Sequence, residues 1–595
     1  MHVNLSTRIR RLTGVVVATL LLLTTAAGPA AAEPTNPRAV ENLTAEITLM
    51  SVTDLHCRVL NWDYLTDQPY SSGRGSARIS TLVEELRAEK GVESTLLLDI
   101  GDTIQGTPLC AYYALRDPIT EGATHPVATA MNAMGFDTMT VGNHEFNFGL
   151  PVLYEFERQL DAPMLSANIV RAGTDEPAFK PYIIETIKLK GKQPIDVGIL
   201  GLTTPGVAVW DRTNVEGILE FRDGVETAKQ YVPKMLAEGA DVVVAAVHTG
   251  MGSGSSYGGL IPYPENFGTD LAEQVPGIDV ILPGHSHANI AEQFVTNQLT
   301  GEQVLVTQSG SHGQRLSVAD LTLTKVQGQW EVTAKSAYTL RASETTDDPM
   351  IVDLIADQHQ TVVDYVNSPI GTTLGELSLA EAGYLDVPAM DLINFVQAQA
   401  VEDGLEGTAY ADLPVLSATA PLSRVVIPAG PVSIRDIAAL YIYENTLRGI
   451  VLTGADVKDY LERAAQYFDP VTSTGPFDPD DVANNGPTYC YDVVYGVSYE
   501  IDLANPVGSR IENLSHAGVP VDPTDEFVMA INNYRHGGGC GYPHVTTAPV
   551  PYNVNPEVQG LLISWFEANE TIDPATFGSV DWVLTYMDTP ITFLP

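Results

Sequence analysis

Glu46-Ile47-Thr48-Leu49-Met50-Ser51-Val52-Thr53-Asp54-Leu55-His56 runs from a largely apolar stretch directly into a polar cluster. The same pattern recurs four times downstream. Thr95 to Ile100 leads into Gly101-Asp102, Thr138 to Val141 into Gly142-Asn143-His144-Glu145, Val242 to Val247 into His248-Thr249-Gly250, and Val280 to Leu282 into Gly284-His285-Ser286-His287. Short apolar, β-branched runs bounded by Gly, Asp or Pro read as buried strands. Between them lie amphipathic stretches of helical length, such as Ala77 to Glu89 and Gly224 to Glu238. This alternation predicts a layered α/β domain, in which ligands sit beyond the carboxyl ends of the strands. All five clusters fall there.

The clusters gather Asp, Asn and His, the donors of a two-metal hydrolase. Two divalent cations held close together can polarise a phosphoryl group, generate hydroxide and stabilise the leaving oxygen. Asp102 is the expected bridge, because a carboxylate has two oxygens. Asp54 and His56 are two apart, so a strand-like pleat would point both toward one ion; His285 and His287 repeat the spacing, with Gly284 permitting the turn. Asn143 offers a carbonyl oxygen and His248 an imidazole. His144, beside Asn143, is expected to donate a proton or stabilise charge on phosphate rather than ligate. Taken singly, a D-x-H or a G-N-H is more often a turn, and the weight lies in five of them in order after five strands. His125, His312, His359, His516, His536 and His544 read as ordinary surface or hydrogen-bonded residues.

A chain of 595 residues exceeds one core and predicts two to four domains. Its 74 acidic against 31 basic residues give a formal charge of -43, which repels duplex nucleic acid but leaves room for a small anion held by metals. Arg8, Arg10 and Arg11 precede an apolar run from Val15 to Leu23, and Ala30-Ala31-Ala32 precedes Glu33, the layout of a cleaved export signal over residues 1–32. The apolar run is shorter than the ~20 residues a membrane span needs. The C-terminus carries no apolar tail, so the expectation is an exported protein, periplasmic or extracellular, without a membrane anchor and monomeric. Four cysteines allow three pairings. Cys57 and Cys110 each follow a polar cluster by a few residues, which favours Cys57 with Cys110 and Cys490 with Cys540.

The motif order D-x-H, G-D-x-x-x-G, G-N-H-E, H, G-H-x-H resembles the metallophosphoesterase superfamily. More narrowly, the chain resembles the exported 5'-nucleotidase family, and within it the 2',3'-cyclic-nucleotide 2'-phosphodiesterase/3'-nucleotidases. Carrying that likeness are Thr53-Asp54-Leu55-His56 with Asp63-Tyr64, Ile104 to Leu109, Gly142 to Gly149, Leu413 to Ala418, Tyr441 to Thr446 and Asn532-Asn533-Tyr534-Arg535. The resemblance implies a four-layer αββα calcineurin-like domain and a C-terminal α+β 5'-nucleotidase-type domain. It implies that Asp54, His56, Asp102 and His287 hold one metal and Asp102, Asn143, His248 and His285 the other, with Tyr443 and Tyr534 stacking on the base and Asn533 beside them. Mn, Zn, Fe and Co all suit such donors.

Two departures bear on substrate. The 5'-nucleotidases carry N-G-G-G-x-R where this chain reads Ser417-Ala418-Thr419-Ala420-Pro421-Leu422, which argues against 5'-nucleotides. They also place an Asp three residues after the catalytic histidine, and here that residue is Asn147, which can orient an imidazole but not stabilise its cation as a carboxylate does. The expected organisation is a metallophosphoesterase domain over residues 43–345, an interdomain helix within 346–369 and a substrate-binding domain over 370–595. The expected activity is hydrolysis of 2',3'-cyclic nucleotides to 3'-nucleotides and of these to nucleoside and phosphate. A 5'-nucleotidase or nucleotide-sugar hydrolase, and an inactive secreted nucleotide-binding protein, are the alternatives.

Overall fold

Period-2 sorting of side chains builds the first half of the molecule. The computed structural model describes residues 44–594 except 253, 256–260, 444, 484 and 555, so the expected export signal lies outside the described residues. In the strand Thr95–Asp99 and just beyond it, Leu96, Leu98 and Ile100 pack against Val197, Val244 and Leu282 of a second sheet. Leu97 turns the other way, onto Ile79, Val83 and Met131 of flanking helices. In Val242–His248 the sorting repeats: Val242, Val244 and Ala246 face the first sheet, whereas Val243, Ala245 and Val247 meet Val232, Met235 and Leu271 of the helices beyond. Strands buried on both faces have no polar side to show, which is why they read as continuous apolar runs. The result is a helix–sheet–sheet–helix sandwich.

Each sheet has six strands. The first runs Gln329–Arg341, Arg315–Val326, Thr44–Val52, Thr95–Asp99, Thr138–Thr140, Met164–Leu165 across its width; the second runs Asn289–Thr296, Gln303–Ser309, Val280–Pro283, Val242–His248, Ile195–Thr203, Tyr182–Ile187. Thr44–Val52, Thr95–Asp99, Thr138–Thr140 and Met164–Leu165 are mutually parallel, as are Ile195–Thr203, Val242–His248, Val280–Pro283 and Gln303–Ser309. All five polar clusters therefore leave carboxyl ends of parallel strands.

The second half has its own core. The helix Pro388–Leu405 packs on a four-stranded sheet ordered Leu447–Thr453, Glu526–Asn532, Val415–Thr419, Val493–Tyr495, beside a five-stranded sheet that includes Ser498–Asp502 and Trp582–Tyr586. Both expected disulfides are present, Cys57–Cys110 and Cys490–Cys540. No helix among the described residues is long and apolar enough to cross a membrane.

One local expectation needs correction. Met350 to Val366 is not one helix but two, Pro349–Leu354 and Ala356–Asn367, broken at Ile355 with φ -112° and ψ 11°. Ile351, Ile355, Val362 and Val366 are buried in the first half's core, and Ala356–Asn367 also packs against the helix Ile434–Leu440 of the second half. The described residues of Val471 to Pro487 are mostly irregular, with one turn of helix at Pro479–Val482, and Phe477 N–H donates to Thr592 O at 3.0 Å.

One buried carboxylate sets a pH dependence far from the polar clusters. Burial first, then the carboxylates of Asp386 and Asp581, pushes the Asp391 carboxyl from its ordinary 3.8 up to about 8. Asp391 is 2% exposed and its Oδ2 has no hydrogen-bond partner. Between those two values the folded chain retains a proton that the unfolded chain has released, so stability falls as pH rises. Asp391→Asn, neutral throughout, is expected to match the wild type near pH 4 and exceed it by a few kcal/mol at pH 8, read from urea midpoints at both pH values. A constant difference across that window would remove Asp391 as the cause.

Candidate metal centre

The ligand-bearing turns are left-handed. Asp54, His56, Asp102, His285 and His287 have φ of 53°, 46°, 58°, 64° and 54°. Such conformations are uncommon outside glycine and concentrate at functional sites held by their surroundings. This corrects the sequence argument: Thr44–Val52 ends before Asp54, so Asp54 and His56 converge through left-handed backbone, not through the strand pleat. Gly284 likewise is not there for a positive φ. A Cβ at that position would lie 2.4 Å from Thr53 Oγ1 and 3.0 Å from His248 Nδ1, so the residue is glycine because two clusters press together there.

Buried carboxylates lock these turns. Glu145, fully buried, accepts from the backbone N–H of Asp102 at 2.9 Å, Thr103 at 2.6 Å and Gly142 at 2.7 Å. Asp99 Oδ1 accepts from Gly101 N–H and Thr103 Oγ1, both at 2.8 Å. Asp54 Oδ2 accepts from Thr53 Oγ1 at 2.6 Å and from His285 N–H at 3.1 Å, which joins the first and last clusters.

Hydrogen bonding fixes the imidazole tautomers. His248 Nδ1 faces Ile100 O at 2.7 Å and His56 Nδ1 faces Gln105 O at 3.2 Å. A carbonyl can only accept, so each Nδ1 carries the proton and each Nε2 presents a lone pair inward. His56 Nε2 lies 3.1 Å from His287 Nε2, His287 Nε2 lies 3.2 Å from Asp54 Oδ1, and His248 Nε2 lies 3.0 Å from Asp102 Oδ2. Asp54 Oδ1, Asn143 Oδ1 and His248 Nε2 are buried without a hydrogen bond. Converging lone pairs and orphaned oxygens are what a cation satisfies, and the mixed N and O donor set fits borderline divalent metals. At this centre three groups have ligand atoms within 4.8 Å of one another: His56, His287 and His312; His56, Asp102 and His144; and Asp102, His248 and His285. Burial would push the Asp102 carboxyl up and His248 down, but their mutual attraction outweighs it, holding Asp102 well below the usual range and raising His248 to about 10, so a proton or a metal ion at His248 Nε2 answers the same carboxylate.

The expected residues thus converge, and others join them that sequence reasoning left out. His312, read as ordinary, has φ 61° and lies with its ring 5.5 Å from that of His56 and 5.6 Å from that of His287. Its setting, Gly310-Ser311-His312-Gly313, echoes the other clusters and was a usable signal. His285 Nε2 meets Glu265 Oε1 at 2.9 Å, and its ring stacks on Trp210 at 5.5 Å. Behind His144, Asn147 Oδ1 faces Nδ1 at 2.6 Å, and Asn147 Nδ2 donates to Asp211 Oδ1 at 2.9 Å. The carboxylate absent at position 147 is therefore supplied one step further out. Burial pushes Asp211 up to about 6.

The second half of the chain closes over the centre. A cavity of about 210 Å³ is lined by Asn143, His144 and His285 on one side and by Thr446, Arg448 and His536 on the other. His536, also read as ordinary, is 7% exposed and sits here. Asn533 lines this same cavity, held by Thr446 N–H donating to its Oδ1 at 3.1 Å. A second cavity, about 330 Å³, is lined by Tyr443, Tyr489, Tyr534, Asn445 and Asn532. Tyr443 and Tyr534 are 43% and 48% exposed, so neither is a core aromatic.

Sandwich, rim and donor set together define a metal-dependent phosphoesterase. Residues 47–289 match the calcineurin-like phosphoesterase family and residues 369–547 the 5'-nucleotidase C-terminal domain. The chain is 34% identical over 549 residues to the 2',3'-cyclic-nucleotide 2'-phosphodiesterase/3'-nucleotidase of Haemophilus influenzae, covering 84% of this chain and 82% of that one. It is 33% identical over 582 residues to the trifunctional nucleotide phosphoesterase YfkN of Bacillus subtilis, covering 91% of this chain but spanning only 39% of that protein. The solved NAD nucleotidase of Haemophilus influenzae shares the fold, with a TM-score of 0.60 at 18% identity over 91% of this chain and all of that one. The chain belongs to the two-domain metallophosphoesterase family of the 2',3'-cyclic-nucleotide 2'-phosphodiesterase/3'-nucleotidases. Family membership carries with it divalent metal ions.

Proposed function

We propose that this protein hydrolyses 2',3'-cyclic nucleotides to 3'-nucleotides and these to nucleoside and phosphate, as an exported, monomeric enzyme with two divalent metals. The observation that carries this reading is that the two cavities are lined by residues adjacent in sequence. Thr446 and Asn533 line the metal-side cavity, and their sequence neighbours Asn445 and Asn532 line the tyrosine-walled one. A ligand with a phosphoryl group at one end and a flat base at the other suits both. Tyrosine faces stack on any base with little demand for a particular edge. Two disulfides suit an oxidising compartment outside the cytoplasm.

Asp54, His56, Asp102 and His287 would hold one metal, and Asp102, Asn143, His248 and His285 the other. When bound, such a pair activates water, polarises the phosphoryl group and neutralises charge on it. The protein's own groups supply the rest. Glu145 and Asp99 hold the Gly101 to Thr103 turn so that Asp102 faces inward. Ile100 O and Gln105 O keep His248 and His56 in the tautomer that ligates. His144, oriented by Asn147, gives a proton to the departing ribose oxygen. Opening the cyclic diester and cleaving the monoester require the same groups, so one site serves both steps.

Phosphate or 3'-nucleotide release from 2',3'-cyclic AMP, 3'-AMP and 5'-AMP by metal-reconstituted protein tests the reading. The first two are expected to be preferred, and a chelator to abolish turnover. Preference for 5'-AMP would replace this reading with a 5'-nucleotidase or nucleotide-sugar hydrolase, and no metal-dependent turnover would leave a nucleotide-binding protein.

A further inference from the structure

The metal-side cavity contains one permanent cation among its lining residues, and it comes from the second half of the chain. Arg448 is the second residue of the strand Leu447–Thr453, which pairs antiparallel with Glu526–Asn532 and so shares its cavity end with the helix Asn533–His536. It is 6% exposed, and its Nη1 meets His536 Nδ1 at 2.8 Å. A guanidinium only donates, so His536 accepts at Nδ1 and acts as a fixed bracket. Burial, then Arg448 itself, holds His536 down to about 4, so at neutral pH the bracket is uncharged and Arg448 carries the positive charge on this side of the cavity, while His144 across it titrates. Burial lowers Arg448 to about 10, with Glu265 opposing the shift, so it remains charged.

Arg448 therefore shares one cavity with Asn143 and His285, and a phosphoryl group held there would meet both the guanidinium and these donors. We propose that Arg448 is a specificity-determining residue that favours phosphate monoesters over cyclic diesters. This rests on the phosphohydrolase reading above and deepens it. The chemistry is a matter of charge. A cyclic diester carries one negative charge, whereas a 3'-monoester carries two above its second ionisation near pH ~6, and a second anionic oxygen gives the guanidinium fork a second acceptor. A fixed cation thus stabilises the monoester more, and the enzyme's second step gains more than its first.

The test compares Arg448→Gln and Arg448→Lys with wild type on 2',3'-cyclic AMP, 3'-AMP, bis(p-nitrophenyl) phosphate and p-nitrophenyl phosphate. Arg448→Gln is expected to lower kcat/KM on the two monoesters by about 10- to 100-fold and on the two diesters by less than about 3-fold. Arg448→Lys, which keeps the charge, retains most of the monoester preference and serves if the glutamine variant folds poorly. The wild-type to variant ratio on 3'-AMP should climb between pH 5 and 7.5 as the substrate gains its second charge, and stay flat on the cyclic substrate. His536, Glu265, His285, His144 and Asp211 line the same cavity for both substrates, so the difference between the two pH profiles reports the substrate's own second ionisation. Equal losses on monoesters and diesters, or a ratio flat with pH on 3'-AMP, would overturn the assignment. If neither nucleotide is turned over but the p-nitrophenyl pair still splits, the role of Arg448 stands and the nucleotide reading falls.

Discussion

Asp102→Asn is expected to leave the fold intact and to remove both bound metal and turnover. The substitution is conservative in every respect but charge. Asn tolerates the left-handed φ of 58° found here, and its side-chain oxygen can still accept from His144 N–H, which now lies 2.8 Å from Asp102 Oδ1. The backbone N–H remains held by Glu145. What disappears is the negative charge with a second oxygen facing His248 Nε2 at 3.0 Å, in a position 1% exposed, where no water can replace it. Two cations cannot be kept close together without an anion between them, since their repulsion in a poorly solvated site is severe. Metal content should drop from two ions per chain to one or fewer. Losing several kcal/mol of transition-state stabilisation corresponds to a fall in kcat/KM of about 10⁴-fold. Circular dichroism should be unchanged. A variant that retains two metals per chain would show that Asp102 is not their bridge.

The five strands that carry the clusters were legible because burial on both faces leaves an unmistakable apolar run, and the clusters were legible because each terminates one; the order of strands across the sheets was not. Nor was the means by which the clusters converge. Left-handed turns at Asp54, His56, His285 and His287 leave no periodic signature, because they depend on contacts with partners far along the chain, such as Thr53 against Gly284. Glu265, Trp210 and Asp211 were invisible for the same reason: each meets its histidine or asparagine across 20 to 75 residues of sequence, in loops with no motif of their own. His312 is a different case. Its flanking glycines resembled the other turns, and the apolar run Val304-Leu305-Val306 falls in the strand Gln303–Ser309, which stops three residues before it, so the signal was there to be read. The break at Ile355 lacks Gly and Pro and could not be read from local residues at all.

His144→Ala is expected to reduce kcat by about 10²- to 10⁴-fold while leaving KM nearly unchanged, since a proton donor acts on the leaving oxygen in the transition state rather than on bound substrate. The side chain is prepared for that task. Burial alone would lower its pKa, but Asp102, the hydrogen bond with Asn147, and Asp211 together raise it above the ordinary 6.5. A raised value keeps the imidazole protonated to higher pH, so activity that needs the proton should fall on the alkaline side as pH passes that value. Asp211 gives an independent handle on the same group. It is hydrogen-bonded to Asn147 and acts through it, and its own carboxyl, pushed up to about 6 by burial, is ionised at neutral pH. Asp211→Asn removes one charge that favours the imidazolium, so the alkaline limb of the kcat profile should move to lower pH, with a loss at neutral pH of about 10-fold. Asn147→Ala cuts the relay itself and should show the same displacement with a larger loss. The metal content of all three variants should remain that of the wild type, which separates them from Asp102→Asn. An alkaline limb that stays in place in Asp211→Asn would mean the relay ends at Asn147, and an unchanged kcat in His144→Ala would take the proton-donor role from His144 altogether.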